Sequence, residues 1–401
     1  MSETIEMGDI GRAADRSRGA QFLCACLGML AFGIVLTTLG AVLPSVIERF
    51  SIDKAAAGGL FLLMTFGILA GSLVFGPIVD RYGYKGMLAA ATALIVIGLE
   101  GIAFAPGLGT LRIALVLIGF GGGVMNGGAN ALVADISTEG KGANLNLLGV
   151  FFGVGAMGVP FALGTLGGAW SHGALIAAVG VLVVVPLLLI LATRFPAPKQ
   201  PQGFPIAAAG RLARQPLLLL MGLLLFLESG MEITVGGWTS TFVKEELAVP
   251  ERSALFLLSL YWMGMMVARL ALGNILRWAS PYRVLYTCMS VALLGTALLL
   301  STQQVWVAGL GVFLVGAGLA ATFPTVLGFV GERYAALSGT AFSLAIAMAL
   351  VGGMILPYAA GVLGSLHGLR ASLLIVPAAL VAQILLLAIL ARARRANPDV
   401  S

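Results

Sequence analysis

Residues 155–164 read GAMGVPFALG and residues 352–361 read GGMILPYAAG. The two stretches lie 197 positions apart. Gly155, Met157, Pro160 and Gly164 fall on Gly352, Met354, Pro357 and Gly361. The same shift lays Gly76 on Gly273, Gly119 and Gly121 on Gly316 and Gly318, and Asp135 on Glu332. Matching prolines in matching helices are hard to obtain by chance in sequence that is merely oily. The chain therefore reads as one unit used twice.

The sequence around these stretches sets the class. Of 401 residues, 59% are hydrophobic and 10% charged, and the mean hydropathy is +1.04. Apolar runs of about eighteen or more residues recur from end to end, and each is long enough to span a bilayer. A soluble core of this size would show amphipathic helices or alternating strands. The expectation is an all-α membrane protein of twelve transmembrane helices in two six-helix, pseudo-symmetric bundles. The spans fall near 20–43, 57–79, 86–105, 111–134, 146–169, 174–193, 216–243, 254–278, 282–301, 305–330, 338–361 and 370–391. The bundles are then 20–193 and 216–391. They are joined by the proline-bearing, basic linker 194–215 and flanked by tails at 1–19 and 392–401.

Lys and Arg orient the chain. With both termini inside, 16 basic residues face the cytoplasm, 6 face out, and Arg269 lies within a span. That bias places both tails in the cytoplasm. The scattered basic residues fit membrane topology, so no nucleic-acid partner is expected. The apolar first run does not begin until after eighteen polar residues, which are read as a tail and not a signal peptide. The three cysteines all lie in apolar runs and imply no disulfide. His172 and His367 are placed in outer loops, and no cluster has metal-ligand spacing. No Ser/His/Asp set or phosphate loop is present, so an enzyme and a cofactor are not expected. Short loops without glycosylation sequons on the outside suit a bacterial inner membrane.

After the second span comes GPIVDRYGYKG, residues 76–86. It resembles the loop signature of the major facilitator superfamily, with Gly76, Asp80, Arg81, Gly83 and Lys85 in place. The resemblance extends over the whole chain and implies two halves rocking about a central site. It also implies a cytoplasmic gate in which Arg81 pairs with Asp135 and Asp80 faces the start of the eleventh span. In the second copy Arg277 stands where Asp80 stood, and Glu332 with Arg333 would make the equivalent pairing. The plain alternative is that these charges only fix topology.

GFGGGVMNGGANALVADIS in span 4, NLNLLGVFFGVGAMGVP in span 5 and ESGMEITVGGW in span 7 look like the fucose permease branch. That likeness implies a sugar importer, with Asn130, Asn146, Glu232 and Trp238 matching residue types of the branch. The proton-coupled members carry acids where this chain has Gly40 and Asn126, so their coupling does not transfer. Coupling by other acids, by sodium, or not at all stays open.

Two other acids stand out. Glu228 and Glu232, four apart, share one helix face. Counted from Pro216 at 1.5 Å per residue, they lie about 18 to 24 Å into the span. Intramembrane acids are costly and usually functional. Glu228 and Glu232 are both counted among the substrate-binding residues, and Glu232 is expected to bond substrate hydroxyls. One of the pair is expected to exchange a proton as coupling ion, since two ions cannot cheaply share such a site. The alternative is a structural ion pair with Arg269. Gly230, Gly236 and Gly237 are expected to loosen the helix there. Glu100 is a weaker acid near the outer end of span 3.

Asn126 and Asn130 share a face and suit hydroxyl-rich solutes, or they glue helices together. Trp238 would stack on a sugar ring or anchor at the interface. Thr37, Thr38, Tyr261, Trp262 and Phe323 are further cavity candidates, or hydroxyls bonded to their own backbone. The expected function is secondary transport of a small polar solute, a monosaccharide, by alternating access. A proton or sodium ion would be co-carried, with the protein acting as a monomer among membrane lipid. The alternatives are a proton-coupled drug exporter, with Glu232 near Trp238 receiving a cation, and an uncoupled sugar uniporter. A non-transporting sensor on the same fold would ordinarily bring an added domain.

Overall fold

The computed structural model describes residues 2–137, 141–198, 210–334 and 337–396. Residues 199–209 of the expected linker and 397–401 of the C-terminal tail lie outside the described residues. Twelve helices among the described residues are long and apolar enough to cross a membrane. The first half holds α1 (Ser2–Phe50), α2 (Lys54–Tyr82), α3 (Tyr84–Ala103), α4 (Leu108–Ile136), α5 (Lys141–Leu166) and α6 (His172–Ala192). The second holds α7 (Pro216–Glu246), α8 (Glu251–Ile275), α9 (Pro281–Ser301), α10 (Val305–Leu319), α11 (Thr322–Arg333) and α12 (Ser338–His367). It ends with α13 (Leu369–Ser372) and α14 (Ile375–Ala396). The polar segment read as a tail continues α1 as helix from Ser2.

The repeat read from the sequence is a repeat of helix crossings. In the first half α1 packs on α5 and α2 on α4; in the second α7 packs on α12 and α8 on α10. The crossing glycines correspond. A side chain at Gly119 would overlap the Met64 carbonyl, and one at Gly316, its counterpart, the Tyr261 carbonyl. At Gly155 it would overlap the Leu30 carbonyl, and at Gly352 that of Phe226. Without a hydrophobic drive between helices in lipid, close backbone approach through small residues supplies the dispersion that holds them. The halves meet along α5 with α8, α2 with α12, and α1 with α7. Each of the first two contacts is the other shifted by one half.

The expected loosening of span 7 is not found: α7 runs unbroken from Pro216 to Glu246. Its glycines are approach points instead. A side chain at Gly230 would press on Leu356, at Gly236 on Trp262 and at Gly237 on Phe61. The break falls in the tenth span, where α10 stops at Leu319 and α11 starts at Thr322. Pro324 has no N–H for the Ala320 carbonyl and its ring crowds that turn, so the helix restarts.

Candidate functional site

From Glu228 to Val243 every residue of α7 is buried, whereas from Pro216 to Leu227 only one stripe is. The acids therefore sit where α7 passes from a lipid-facing helix to one enclosed on all sides. Glu228 has no exposed surface, and neither carboxyl oxygen has a hydrogen-bond partner. Its charged neighbours are Glu232 and Arg269. Glu232 Oε2 stands 4.0 Å from Arg269 Nη2. The ion pair named as an alternative is thus present, but it is longer than a hydrogen bond. The Tyr261 hydroxyl donates to the backbone carbonyl of Glu232 at 3.3 Å.

The first half faces this cluster with aromatic surface. The Arg269 guanidinium lies 5.6 Å from the centre of the Phe152 ring, a cation–π contact across the α5–α8 boundary. Phe152 meets Trp262 edge-on at 6.0 Å and Phe32 at 5.6 Å. Two donors in this group stay unused: Arg269 Nε and Trp262 Nε1 are buried without acceptors. Residues 262 and 269 are seven apart, so both face α5. The site thus combines two acids, one guanidinium, an idle indole N–H and three aromatic rings, drawn from both halves.

The remaining candidates divide. The Asn130 amide donates to the Asn126 backbone carbonyl at 2.8 Å and to its side-chain oxygen at 3.2 Å. Both asparagines are half-buried. Gly122, one turn before Asn126, packs against Phe32, which places this face of α4 beside the aromatic wall. Thr38 is buried and bonds to the Ile34 carbonyl at 2.6 Å, so its hydroxyl serves its own helix. Thr37 is buried with its hydroxyl unpartnered. Phe323 is half-buried at the break between α10 and α11. Trp238 is neither stacking surface nor interface anchor in this conformation. It is fully buried, its indole N–H donates to the Pro357 carbonyl at 3.0 Å, and Phe61 covers its ring at 6.0 Å. Glu100 occupies the space that a side chain at Gly180 would need, between α3 and α6 and away from the cluster.

The 76–86 loop closes α2. Gly83 holds φ +77° at the helix end, with its N–H on the Val79 carbonyl; that left-handed conformation favours glycine. The Tyr84 hydroxyl donates to Asp135 Oδ2 at 2.6 Å. Asp80, Tyr84 and Asp135, with Pro196 and Pro198 of the linker, line a cavity of about 200 Å³. Arg81, expected on Asp135, is exposed and lies over the Tyr82 ring at 5.3 Å. Gly76 faces open space. Arg277 is exposed beyond α8, while Glu332 and Arg333 end α11, with the Arg333 guanidinium over Tyr334 at 5.8 Å.

At the opposite end the structure shows a latch that the sequence reading missed. Lys54 pairs with Glu245 at 2.8 Å, and Lys244 with Glu251 at 2.9 Å and Glu48 at 3.8 Å. The Ser45 hydroxyl donates to Glu251 Oε1 at 2.8 Å and lies 2.6 Å from His172 Nδ1. Ser240 donates to the Gly40 carbonyl, and a side chain at Gly40 would overlap the Gly236 carbonyl. Every one of these contacts except Lys244–Glu251 and Ser45–His172 joins one half to the other. His172, placed in a loop from sequence, opens α6 behind the Ser171 cap. A signal did exist. Under the 197-residue shift Glu48 and Lys54 fall on Glu245 and Glu251, charged residues at matching turns.

Comparison with known proteins is consistent with this arrangement. Residues 22–345 match the Major Facilitator Superfamily. The chain is 22% identical over 382 residues to the sodium-dependent glucose transporter 1A of Mus musculus, covering 83% of this chain and 87% of that one. It is 25% identical over 392 residues to the 3-(3-hydroxy-phenyl)propionate transporter of Escherichia coli K12, covering 94% of each. Its fold matches a crystal structure of the nucleoside transporter NupG with a TM-score of 0.79 at 14% identity, over 93% of this chain and 99% of that one.

Proposed function

Because this chain belongs to the Major Facilitator Superfamily, we propose that it is a secondary transporter carrying a monosaccharide-type solute, chemically unchanged, across a bacterial inner membrane. The observation that carries the reading is the Glu228–Glu232–Arg269 group, set between the halves and walled by Phe32, Phe152 and Trp262. Rocking of the halves about this group would expose it to one side and then the other. The coupling ion is a proton. A buried carboxylate without partners costs several kcal/mol, and one proton removes that cost.

The basic-residue bias supports cytoplasmic termini. The latch end is then the outer end and the structure is closed to the outside. Import is the direction implied by the resemblance to the fucose permease branch. Both halves lie in one chain, so the monomer is the working unit. The drug-exporter alternative loses its support, because Arg269 stands beside the acid that a cation would need.

The test is counterflow in liposomes. Purified protein is preloaded with one unlabelled monosaccharide at a time, neutral or acidic, and uptake of the same labelled compound is followed without an ion gradient. Exchange of any of them is the expected result. An imposed proton gradient should then drive accumulation where a sodium gradient does not. No exchange across the panel, from folded protein, would remove the monosaccharide reading. Exchange that neither gradient can drive uphill would identify a uniporter.

A further inference from the structure

We infer that the solute carries a carboxylate, and that Arg269 anchors it by exchanging Glu232 for the solute's acid. The inference rests on the transport reading above and narrows it from monosaccharides in general to sugar acids.

The observation is an arginine only partly used. A guanidinium offers five donors in a fixed fork. Held within a span it is costly and is retained where partners meet those donors. Here it has one carboxylate oxygen at 4.0 Å, a ring face, and a buried Nε with no acceptor. Were its task only to neutralise Glu232, a two-pronged contact near 2.8 Å would serve it best. The helices are close enough for that contact. Tyr261 on α8 already reaches the Glu232 backbone, and Gly236 packs directly on Trp262. The fork keeps an unpartnered Nε and about a quarter of its side chain uncovered, which leaves donors for a second carboxylate.

The second unused donor sets the size of the solute. Trp262 Nε1 lies on the same helix face, and the Phe152 ring touches both residues. Seven residues of α-helix rise about 10 Å. With both side chains turned to Phe152, the proposed solute is a six-carbon acid, its carboxylate on Arg269 and a distal hydroxyl oxygen on Trp262. The Asn126–Asn130 face, reached through Gly122 and Phe32, is the nearest supply of groups for the other hydroxyls.

Charge balance agrees. Two acids already share one guanidinium, so an arriving carboxylate adds a negative charge that a proton on Glu232 or Glu228 offsets. Anion and proton then enter together. A neutral hexose offers Arg269 only hydroxyl oxygens, weaker acceptors for a guanidinium than a carboxylate, and a cation meets its repulsion.

The experiment compares D-gluconate, D-glucuronate, D-glucose and L-fucose in counterflow. It uses the wild type, Arg269→Lys, and the charge-balanced pair Arg269→Gln with Glu232→Gln, each shown to be folded by its unfolding temperature. In the wild type the acids should exchange at least about tenfold faster than the neutral sugars, the discrimination a charged hydrogen bond supports. Lys should keep part of that rate, and the balanced double variant should lose it. Two results would overturn the inference while leaving the transport reading intact: exchange of glucose or fucose without either acid, or acid exchange undiminished in the double variant. No exchange of any of the four would remove both.

Discussion

Glu228 is the residue whose surroundings say most about coupling. Its carboxyl is sealed in protein with both oxygens idle, beside an acid that already holds what share of Arg269 there is. Glu228→Gln keeps the shape and gives up the proton. Counterflow should persist within about threefold, while accumulation driven by a proton gradient falls at least about tenfold, the split expected when a coupling group is lost and solute binding is kept. Equal loss of both would show that Glu228 touches the solute. Gly83 supports a prediction of a different kind. An alanine there must hold φ +77°, so Gly83→Ala should lower stability by about 1 to 2 kcal/mol. Gly76→Ala, at a site open to space, should leave the unfolding temperature unchanged. These acids were legible in sequence because a charge in an apolar helix stands out whatever the fold. The nearness of Arg269 could be named only as one option, since nothing in one dimension brings α7 against α8. The enclosure of Trp238 was not legible for the same reason: its depth along α7 is readable, but Phe61 and the Pro357 carbonyl that enclose it here come from α2 and α12.

Among the elements, the helix pairs that repeat between halves are held by glycine at equivalent crossings. Gly155→Ala and Gly352→Ala each drive a methyl into a carbonyl of the facing helix. Each should cost about 1 to 3 kcal/mol, the range for overpacking a closed contact, read as a fall in thermal unfolding temperature in detergent. Gly158→Ala, on the same helix as Gly155 but facing open space, is the control and should be silent. The repeat was visible in sequence because a crossing needs a small residue at one position, and the need recurs 197 residues later. The continuity of α7 was not visible. Glycine marks both a loosened helix and a close approach, and only the neighbours Leu356, Trp262 and Phe61 decide between them.

At the scale of the whole molecule, the latch joins the two halves at one end, and its strength bears on which way the transporter faces. Its ion pairs are partly exposed, and each is worth about 1 kcal/mol or less alone, so their effect is on the balance between conformations. Lys54→Glu should widen the distance distribution between spin labels placed across the latch end, and adding Glu245→Lys should narrow it again. An unchanged distribution in the single variant would mean that the helix contacts at Gly40 and Gly236 close this end unaided. Orientation has its own check. Cys24 and Cys26 are buried and Cys288 is half-buried, so a cysteine introduced at the exposed Gln304 should be the main target of an impermeant maleimide added outside intact cells. Labelling only after lysis would reverse the orientation. The glycine crossings α1 with α5 and α2 with α4 are complete within the first half, and this bears on biosynthesis. The ribosome finishes the six helices of that half before the first residue of α7 exists, so the first bundle can settle while the second is still being translated. A gene divided within the linker should then yield two polypeptides that find each other in the membrane and restore one working carrier.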